Sequence, residues 1–245
     1  MKKLFAILLL VVPFSVHGKI FAVLVGISEY EHNIENLSYG HRDAAEMFQL
    51  LKAYTTPDSM VLLTDQQATY DAIVHQTSQL FRQAKPEDIV IFFFSGHGYP
   101  NLFCVYDKNL YFSTLQKLFK ACKANRKLIF ADACFAGGLR QEGRQATSSL
   151  DNPNMGKNVM LFLASRSNQH AAESHTLRNG VFTYFLLAGL RGGADANKDR
   201  YITAIELFNF VHPKVKERSN GKQIPVMWGK FDKNMVILQL KINST

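Results

Sequence analysis

The stretch Ile89-Val-Ile-Phe-Phe-Phe-Ser-Gly-His-Gly98 joins an apolar run to a histidine that lies between two glycines. Three consecutive phenylalanines are typical of a strand that is buried on both faces in a parallel sheet. A second stretch has the same design, because the apolar run 128–131 is followed directly by Asp132-Ala133-Cys134. Catalytic groups gather at the carboxyl ends of parallel strands. We therefore interpret His97 and Cys134 as a base and a nucleophile that arrive from two strands.

Apolar runs alternate with helical patterns along the rest of the chain. Strands are predicted over 19–27, 59–63, 88–94, 126–133, 159–164, 224–228 and 235–240. Helices are predicted over 39–54, 71–83, 113–124, 181–190 and 202–216, the third of them from a capping box of Ser113 and Gln116. This alternation predicts an α/β fold, a three-layer sandwich with a mostly parallel central sheet.

Length and composition predict one large domain. The chain has 245 residues, of which 47% are hydrophobic and 20% charged, enough for one sizeable core. Residues 1–18 resemble a secretory signal peptide, with Lys2 and Lys3 before an apolar run that is too short to span a membrane. An uncleaved anchor or a first strand is the alternative interpretation. We therefore expect an exported protein, periplasmic or secreted, whose domain covers 19–245 and which has no stable membrane span.

The formal net charge is +8, and the densest cluster of basic residues lies on and just after one predicted helix. The members have helical spacing and are Lys117, Lys120, Lys123, Arg126 and Lys127. A solvated helix face accounts for this pattern. Aromatic residues do not alternate with the basic ones, so we expect no nucleic-acid partner.

Three cysteines are too few for a small domain stapled by disulfides. A bridge between Cys104 and Cys122 would leave Cys134 as a free thiol. The residues just after Cys134 are different in composition, because 136–157 is rich in Gly, Arg, Gln, Ser, Asn and Pro. This composition predicts a mobile linker.

A cysteine attacks as its thiolate and needs a basic partner at neutral pH. His97 fits that role, and the backbone amides of Gly98 and Cys134 could stabilise an oxyanion. A lone histidine would be read as a turn residue and a lone cysteine as a buried hydrophobe, but together they favour catalysis. Asp132 would raise the pKa of a nearby thiol, so it is better suited to bind a cation. Asp43 begins a predicted helix, where the helix dipole alone could explain a carboxylate.

Phe-Phe-Ser-Gly-His-Gly followed by Asp-Ala-Cys-x-x-Gly resembles the caspase/metacaspase peptidases. Weaker similarity runs through Leu37-x-x-Gly-x-x-Asp-Ala44, Ala172-Glu173, Gly180-Val-Phe-Thr183 and Gln223-Ile-Pro225. The resemblance implies a caspase-like three-layer α/β/α sandwich and protein or peptide substrates. It implies a catalytic dyad of His97 and Cys134, with an oxyanion hole formed by Gly98 and Cys134. It places Asp43 and Asp132 at the floor of the S1 pocket and Ser165 in the substrate groove.

Two carboxylates in S1 would select Arg or Lys at P1, whereas caspases use arginines to hold an aspartate. The chain also lacks the caspase form Gln-Ala-Cys-x-Gly around Cys134, so metacaspase-like specificity is expected. There are two alternatives. One is a cysteine peptidase with another P1 preference, of the legumain or gingipain type, and the other is a catalytically silent caspase-like binding module.

Arg140 and Arg144 are candidate self-cleavage points in the linker. The alternative for this segment is a basic solvated loop. The oligomeric state is left open.

A calcium site is a further expectation from spacing. Asp195, Asn197, Asp199 and Glu206 match the ligand positions of an EF-hand loop, although Arg200 stands where that loop has glycine. A polar turn that leads into a capped helix is the alternative interpretation. The resemblance requires no cofactor, and the segment after His97 lacks the acidic cluster of calcium-activated metacaspases.

Overall fold

The computed structural model describes residues 18–31, 34–134, 155–165 and 173–241, with Cys134 described by its backbone only. Residues 1–17 of the predicted signal peptide, most of the predicted linker, and the candidate cleavage points Arg140 and Arg144 lie outside these ranges.

The strands of the described part of the chain, in chain order, are β1 Ile20–Gly26, β2 Met60–Thr64, β3 Ile89–Tyr99, β4 Leu102–Cys104, β5 Asn109–Tyr111, β6 Arg126–Cys134, β7 Val159–Leu163, β8 Glu173–Ser174, β9 Asn179–Gly180, β10 Tyr201–Thr203, β11 Val226–Trp228 and β12 Val236–Gln239. The helices are α1 Gly40–Leu51, α2 Tyr70–Phe81, α3 Phe112–Ala121, α4 Val181–Ala188 and α5 Ala204–Arg218. A central sheet with strand order β11-β7-β6-β3-β1-β2 organises these elements. Its strands are parallel except β11, which is antiparallel to β7.

Two apolar layers cover the two faces of this sheet. Alternate residues of β3 enter opposite layers, since Phe93 packs with α1, α4 and α5 while Phe92 and Phe94 pack with α2 and α3. All three phenylalanines are fully buried. The predicted three-layer α/β sandwich with a mostly parallel sheet is thus confirmed.

The main differences from the predicted elements lie at the ends of strands. β3 runs on to Tyr99 and turns into a hairpin with β4 and β5, which the apolar pattern did not predict. The predicted capping box at Ser113 is wrong, because α3 begins at Phe112 with Tyr111 as its N-cap. The chain passes from β5 directly into the helix there, so Ser113 lies inside the first turn. β12 pairs with β10 in a separate two-stranded sheet, and α5 begins only after β10.

The cysteine and lysine predictions also need correction. Cys104 and Cys122 are separate free thiols, both buried, and burial raises the pKa of Cys104 to about 11. Lys127 does not belong to a solvated face, because its Nζ is buried and donates to the carbonyls of Phe119 and Cys122 at 2.8 Å each. In the ranges that the structure describes, no helix is long and apolar enough to cross a membrane.

Candidate active site

The two predicted catalytic residues lie opposite each other on neighbouring strands. β3 and β6 are parallel, and their register pairs Ser95 with Asp132 and His97 with Cys134. Neighbouring strands are about 4.8 Å apart, so the backbones of His97 and Cys134 are adjacent at the carboxyl edge of the sheet. The prediction that both residues arrive at one strand edge agrees with this register.

His97 is oriented by the loop that follows β1. Its Nε2 lies 2.7 Å from the carbonyl oxygen of Glu35, and a carbonyl only accepts, so Nε2 carries a proton and donates it. The backbone N–H of His97 donates to the Tyr30 hydroxyl at 2.7 Å, and the two rings lie 5.2 Å apart. Burial raises the pKa of Tyr30 well above its ordinary value, so that hydroxyl is neutral. Nδ1 is therefore the nitrogen left for chemistry. Sequence reasoning missed the positioning roles of Tyr30 and Glu35, because only the tertiary fold brings this loop to β3.

Asp43 lies in the first turns of α1 and is almost completely buried. Its Oδ2 accepts from the Ser95 hydroxyl at 2.8 Å, and its Oδ1 accepts from the Asn179 amide at 2.9 Å. The Gly180 N–H lies 3.2 Å from both oxygens. Burial and then the charge of Asp132 raise the pKa of Asp43 well above its ordinary value, although these hydrogen bonds oppose the shift.

Asp132 accepts its hydrogen bonds from the first turn of α4. Its Oδ2 lies 2.9 Å from the Thr183 N–H and 2.8 Å from the Thr183 hydroxyl. Burial, with a smaller contribution from the charge of Glu173, raises the pKa of this carboxyl to about 6, against the lowering effect of both Thr183 bonds. The positive end of the α4 dipole partly compensates the buried charge.

Gly180 is the point where the two carboxylates meet. A Cβ added there would lie 2.1 Å from Asp132 Oδ2 and 2.9 Å from Asp43 Oδ2. Any larger residue would therefore displace the carboxylates, and glycine at this position lets both reach the same helix end. The structure thus brings together Asp43, Asp132 and Ser95, directly next to the His97–Cys134 pair. Ser95 is a member of this group that sequence reasoning did not assign.

Glu173 is a third carboxylate near this group, and its side chain is exposed. It accepts from the backbone N–H groups of Ser38 at 2.9 Å and Tyr39 at 2.8 Å, just before α1. His175 Nδ1 lies 2.9 Å from the Tyr39 hydroxyl. The β8–β9 hairpin is therefore attached to the start of the helix that carries Asp43. In the sequence, only the weak match at Ala172-Glu173 pointed to this acid.

Ser165 and Gly98 occupy the same edge of the sheet. Ser165 follows β7, is fully buried and lies with its hydroxyl 3.4 Å from the Ala133 carbonyl oxygen. Gly98 is opposite Phe103 of β4, one residue beyond His97. The substrate-groove role of Ser165 and the oxyanion roles of Gly98 and Cys134 stay predictions.

The predicted calcium loop is a turn whose acids contact its own backbone. Asp195 Oδ2 accepts from the Arg200 N–H at 3.0 Å, and Asp199 Oδ1 accepts from the Tyr201 N–H at 2.8 Å. Asn197 Oδ1 accepts from the Asp199 N–H at 3.0 Å. Glu206 forms a capping box with Thr203 at the start of α5, with a 2.7 Å hydrogen bond between their side chains. Among the described residues, no group of three or more His, Cys, Asp or Glu side chains could hold a metal ion. Calcium binding stays a prediction, and the alternative of a polar turn with a capped helix describes this geometry.

Comparison with known proteins gives one family. The family model described as "Caspase domain" matches residues 19–236. A "Probable protease" from a Desulfuromonadales bacterium is 26% identical over 243 residues, covering 81% of this chain and 30% of that protein. Metacaspase-2 from Arabidopsis thaliana is 37% identical over 94 residues, covering 35% of this chain and 22% of that protein. The chain thus spans less than a third of the length of either relative.

Solved structures show a similar fold. Caspase-1 from Spodoptera frugiperda has a TM-score of 0.68 at 16% identity, with 94% of this chain and 92% of that chain covered. A Geobacter sulfurreducens protein has a TM-score of 0.64 at 17% identity, covering 87% of this chain and 95% of that one. At these identities the likeness concerns the fold alone.

Proposed function

The chain belongs to the caspase domain family, and from this premise we propose that it is a cysteine endopeptidase that cleaves after arginine or lysine. The observation that carries the proposal is the register of β3 and β6, which pairs His97 with Cys134 and, two residues earlier in each strand, Ser95 with Asp132. One strand pair therefore supplies both the dyad and part of an acidic pocket.

The chemistry begins at the dyad. His97 Nδ1 takes the proton of the Cys134 thiol, and the Glu35 carbonyl holds the resulting imidazolium by its Nε2–H. The thiolate attacks the scissile carbonyl, and backbone N–H groups of Gly98 and Cys134 stabilise the oxyanion. His97 then donates its proton to the leaving amine, which leaves a thioester. Water, deprotonated by His97, hydrolyses the thioester and restores the thiol.

The acidic pocket selects the P1 side chain. Asp43 and Asp132 are buried together. Among the residues that the structure describes, no cationic side chain donates a hydrogen bond to either carboxylate. A guanidinium or ammonium group in the pocket would offset the burial and the repulsion by Asp132 that together raise the pKa of Asp43. An aspartate at P1 would add a further negative charge to the same place, so it would be excluded.

Glu173 serves in this proposal as the acid at the pocket entrance. Its carboxylate is exposed, while Asp43 and Asp132 are buried, so it is the first of the three that an approaching cation meets. Its hydrogen bonds to Ser38 and Tyr39 hold it in place. Glu173→Gln keeps an acceptor for these amides but removes the charge. We expect this variant to raise KM for Arg substrates severalfold, with a smaller effect on kcat.

A panel of fluorogenic peptides with Arg, Lys, Asp or Asn at P1 tests the proposal. Wild-type protein is expected to cleave the Arg and Lys peptides, and Cys134→Ala to cleave none. A preference for Asp or Asn at P1 would overturn the acidic pocket but leave the dyad. A correctly folded wild-type protein that cleaves no peptide and still binds one would instead be a silent binding module.

We further propose that the protein is exported, on the basis of Lys2, Lys3 and the apolar run 4–12. Expression of the full chain followed by N-terminal sequencing of the protein outside the cytoplasm is the test. A new N-terminus close to residue 19 is expected. Recovery of the chain only in the cytoplasm, with its N-terminal segment intact, would contradict export.

A further inference from the structure

A row of three side chains, two exposed tyrosines and a half-buried leucine between them, crosses the hairpin that follows His97. The antiparallel register of β3, β4 and β5 places Tyr99 opposite Leu102, and Leu102 opposite Tyr111. Residues directly opposite in a sheet project from the same face, so the three form one continuous row. Tyr111 is 51% exposed and Tyr99 is 42% exposed, the two highest values among the large hydrophobic residues that the structure describes as exposed. We call Tyr99, Leu102 and Tyr111 the aromatic row.

The aromatic row lies on the catalytic face of the sheet. Alternate residues of a strand share a face, so Ser95, His97 and Tyr99 project from the same side of β3. Tyr99 lies about 7 Å further along the strand than His97, on the side away from Ser95 and its acidic partner. Along one strand, the order is therefore pocket, base, aromatic row.

The inner face of the hairpin fixes the aromatic row in place. Phe103, opposite Gly98, is fully buried and stacks on Phe94 at a centroid distance of 4.2 Å. It also contacts Phe112 at 5.0 Å. Because this anchor belongs to the core, the outward-facing tyrosines are presented on a rigid support, which lowers the entropic cost of binding a peptide there.

We propose that the aromatic row binds apolar or aromatic side chains of the substrate on the leaving-group side, at P1′ and P2′. This inference rests on the proposed function. With P1 in the pocket beside Ser95, the scissile carbonyl lies at Cys134, and the leaving nitrogen must approach His97 to receive its proton. The chain that follows that nitrogen continues past His97, towards the aromatic row. Tyrosine faces favour apolar and aromatic partners, and their negative π-surface disfavours acidic ones.

The test compares two kinds of substrate with the same Arg at P1. One is a short peptide coumarin amide without primed residues, and the others are internally quenched peptides with Phe, Leu, Gly or Asp at P1′ and P2′. We expect peptides with Phe or Leu to be cleaved about tenfold more efficiently than those with Gly or Asp. In Tyr99→Ser and Tyr111→Ser, the ratio of kcat/KM for the Phe peptide to that for the coumarin amide is expected to fall three- to tenfold. Tyr201→Ser, which removes a 39% exposed tyrosine on β10, is the matched control and is expected to keep the wild-type ratio.

Binding to Cys134→Ala keeps this test independent of turnover. Fluorescence polarisation with the same Arg peptide, with and without a Phe-Phe extension, is expected to show about tenfold tighter binding of the extended peptide, and the gain should disappear when Tyr111→Ser is added. Equal affinities for the two peptides would overturn the inference while leaving cleavage after Arg intact. Loss of all Arg peptide cleavage with the primed binding gain retained would overturn the proposed function instead. If Tyr111→Ser separates a dimer into monomers and leaves the peptide ratios unchanged, the aromatic row is an interface between two copies and the inference is wrong.

Discussion

At the residue scale, the central feature of the site is a pair of buried carboxylates, Asp43 and Asp132, that meet at Gly180. Asp43 and Asp132 both accept hydrogen bonds from the start of α4, and both have raised pKa values. Surface acids have lower pKa values because water stabilises their charge. The resemblance to the caspase/metacaspase peptidases implied that both acids face a common site, whereas the residue pattern alone left Asp43 equally well explained by a helix start. It could not predict their burial, which depends on Gly180 and Thr183 from a distant part of the chain.

The charge of Asp132 should make the protein less stable as the pH rises. Its pKa is about 6 in the folded protein and near 3.9 in an unfolded chain, so between these values the folded state binds more protons. This contribution to the free energy of unfolding is complete below about pH 4 and is lost as the pH rises through about 6. Relative to wild type, the free energy of unfolding of Asp132→Asn should therefore rise by about 3 kcal/mol between pH 4 and pH 7.5, measured by urea unfolding.

Asp58→Asn is the matched control for this measurement. The Asp58 carboxylate is exposed, and its hydrogen bond with Thr56 and the charge of Lys19 lower its pKa. Its contribution is therefore lost as the pH falls, the opposite sign to that of Asp132. If the free energy of unfolding changes with pH in the same way in wild type and in Asp132→Asn, the account of the buried pair is contradicted.

At the element scale, the site depends on how α4 and the β8–β9 hairpin meet β3 and β6. Long apolar runs such as 89–94 were sufficient to predict the central strands, because a strand buried on both faces needs apolar residues throughout. The short strands β4, β5 and β10 were not predicted, since a strand of three residues is too short to show a periodic pattern. The start of α3 was misplaced for a related reason: Ser113 and Gln116 match a cap by spacing, but the turn from β5 determines where the helix begins.

A substitution of Gly180 tests how α4 and the β8–β9 hairpin pack against β3 and β6. Gly180→Ala should lower the free energy of unfolding by about 1–3 kcal/mol, because the new Cβ overlaps Asp132 Oδ2 and crowds Asp43 Oδ2. It should also reduce kcat/KM for Arg substrates more than that of any substrate with a neutral P1 residue. Thermal and urea unfolding together with the peptide panel provide the measurement.

The control for this variant is Gly221→Asn. Gly221 has φ +75° with no atom within 4 Å of an added Cβ, and asparagine tolerates that conformation. Its stability should stay within about 0.5 kcal/mol of wild type. An unchanged Gly180→Ala variant, in stability and in P1 preference, would show that the carboxylates do not pack on this glycine.

At the scale of the whole molecule, the sheet order explains why residues far apart in sequence form one site. β3 and β6 are neighbours although α3 lies between them in the chain, and α1 and α4 cover the same face of both. The alternation of strands and helices predicted this architecture. It could not predict the contacts of Glu173 with Ser38 and Tyr39, because no periodic pattern links residues 135 positions apart. Long-range polar contacts of this kind hold the carboxylates of the candidate site in place, while the apolar pattern determines the fold.

The predicted linker is the segment in which the whole chain is expected to cleave itself. If the peptidase cleaves after basic residues, Arg140 and Arg144 are expected to be cut in an active preparation, since both lie in the polar segment 136–157. Intact mass spectrometry of wild type and Cys134→Ala is the measurement, and only wild type should show two large fragments in place of the intact chain. A single uncut species in a fully active sample would rule out processing as a requirement.

The most direct measurement for the central claim is labelling with an acyloxymethyl ketone probe that carries Arg at its P1 position. A thiolate displaces the carboxylate of such a probe and forms a stable thioether, so the adduct records both the nucleophile and the pocket. Mass spectrometry of the intact protein and of its peptides should show one adduct, on Cys134, and none on the buried thiols of Cys104 and Cys122. His97→Ala should abolish labelling, and the matching Asp probe should react far more slowly. Labelling that prefers the Asp probe, or that persists at full rate in His97→Ala, would contradict the account.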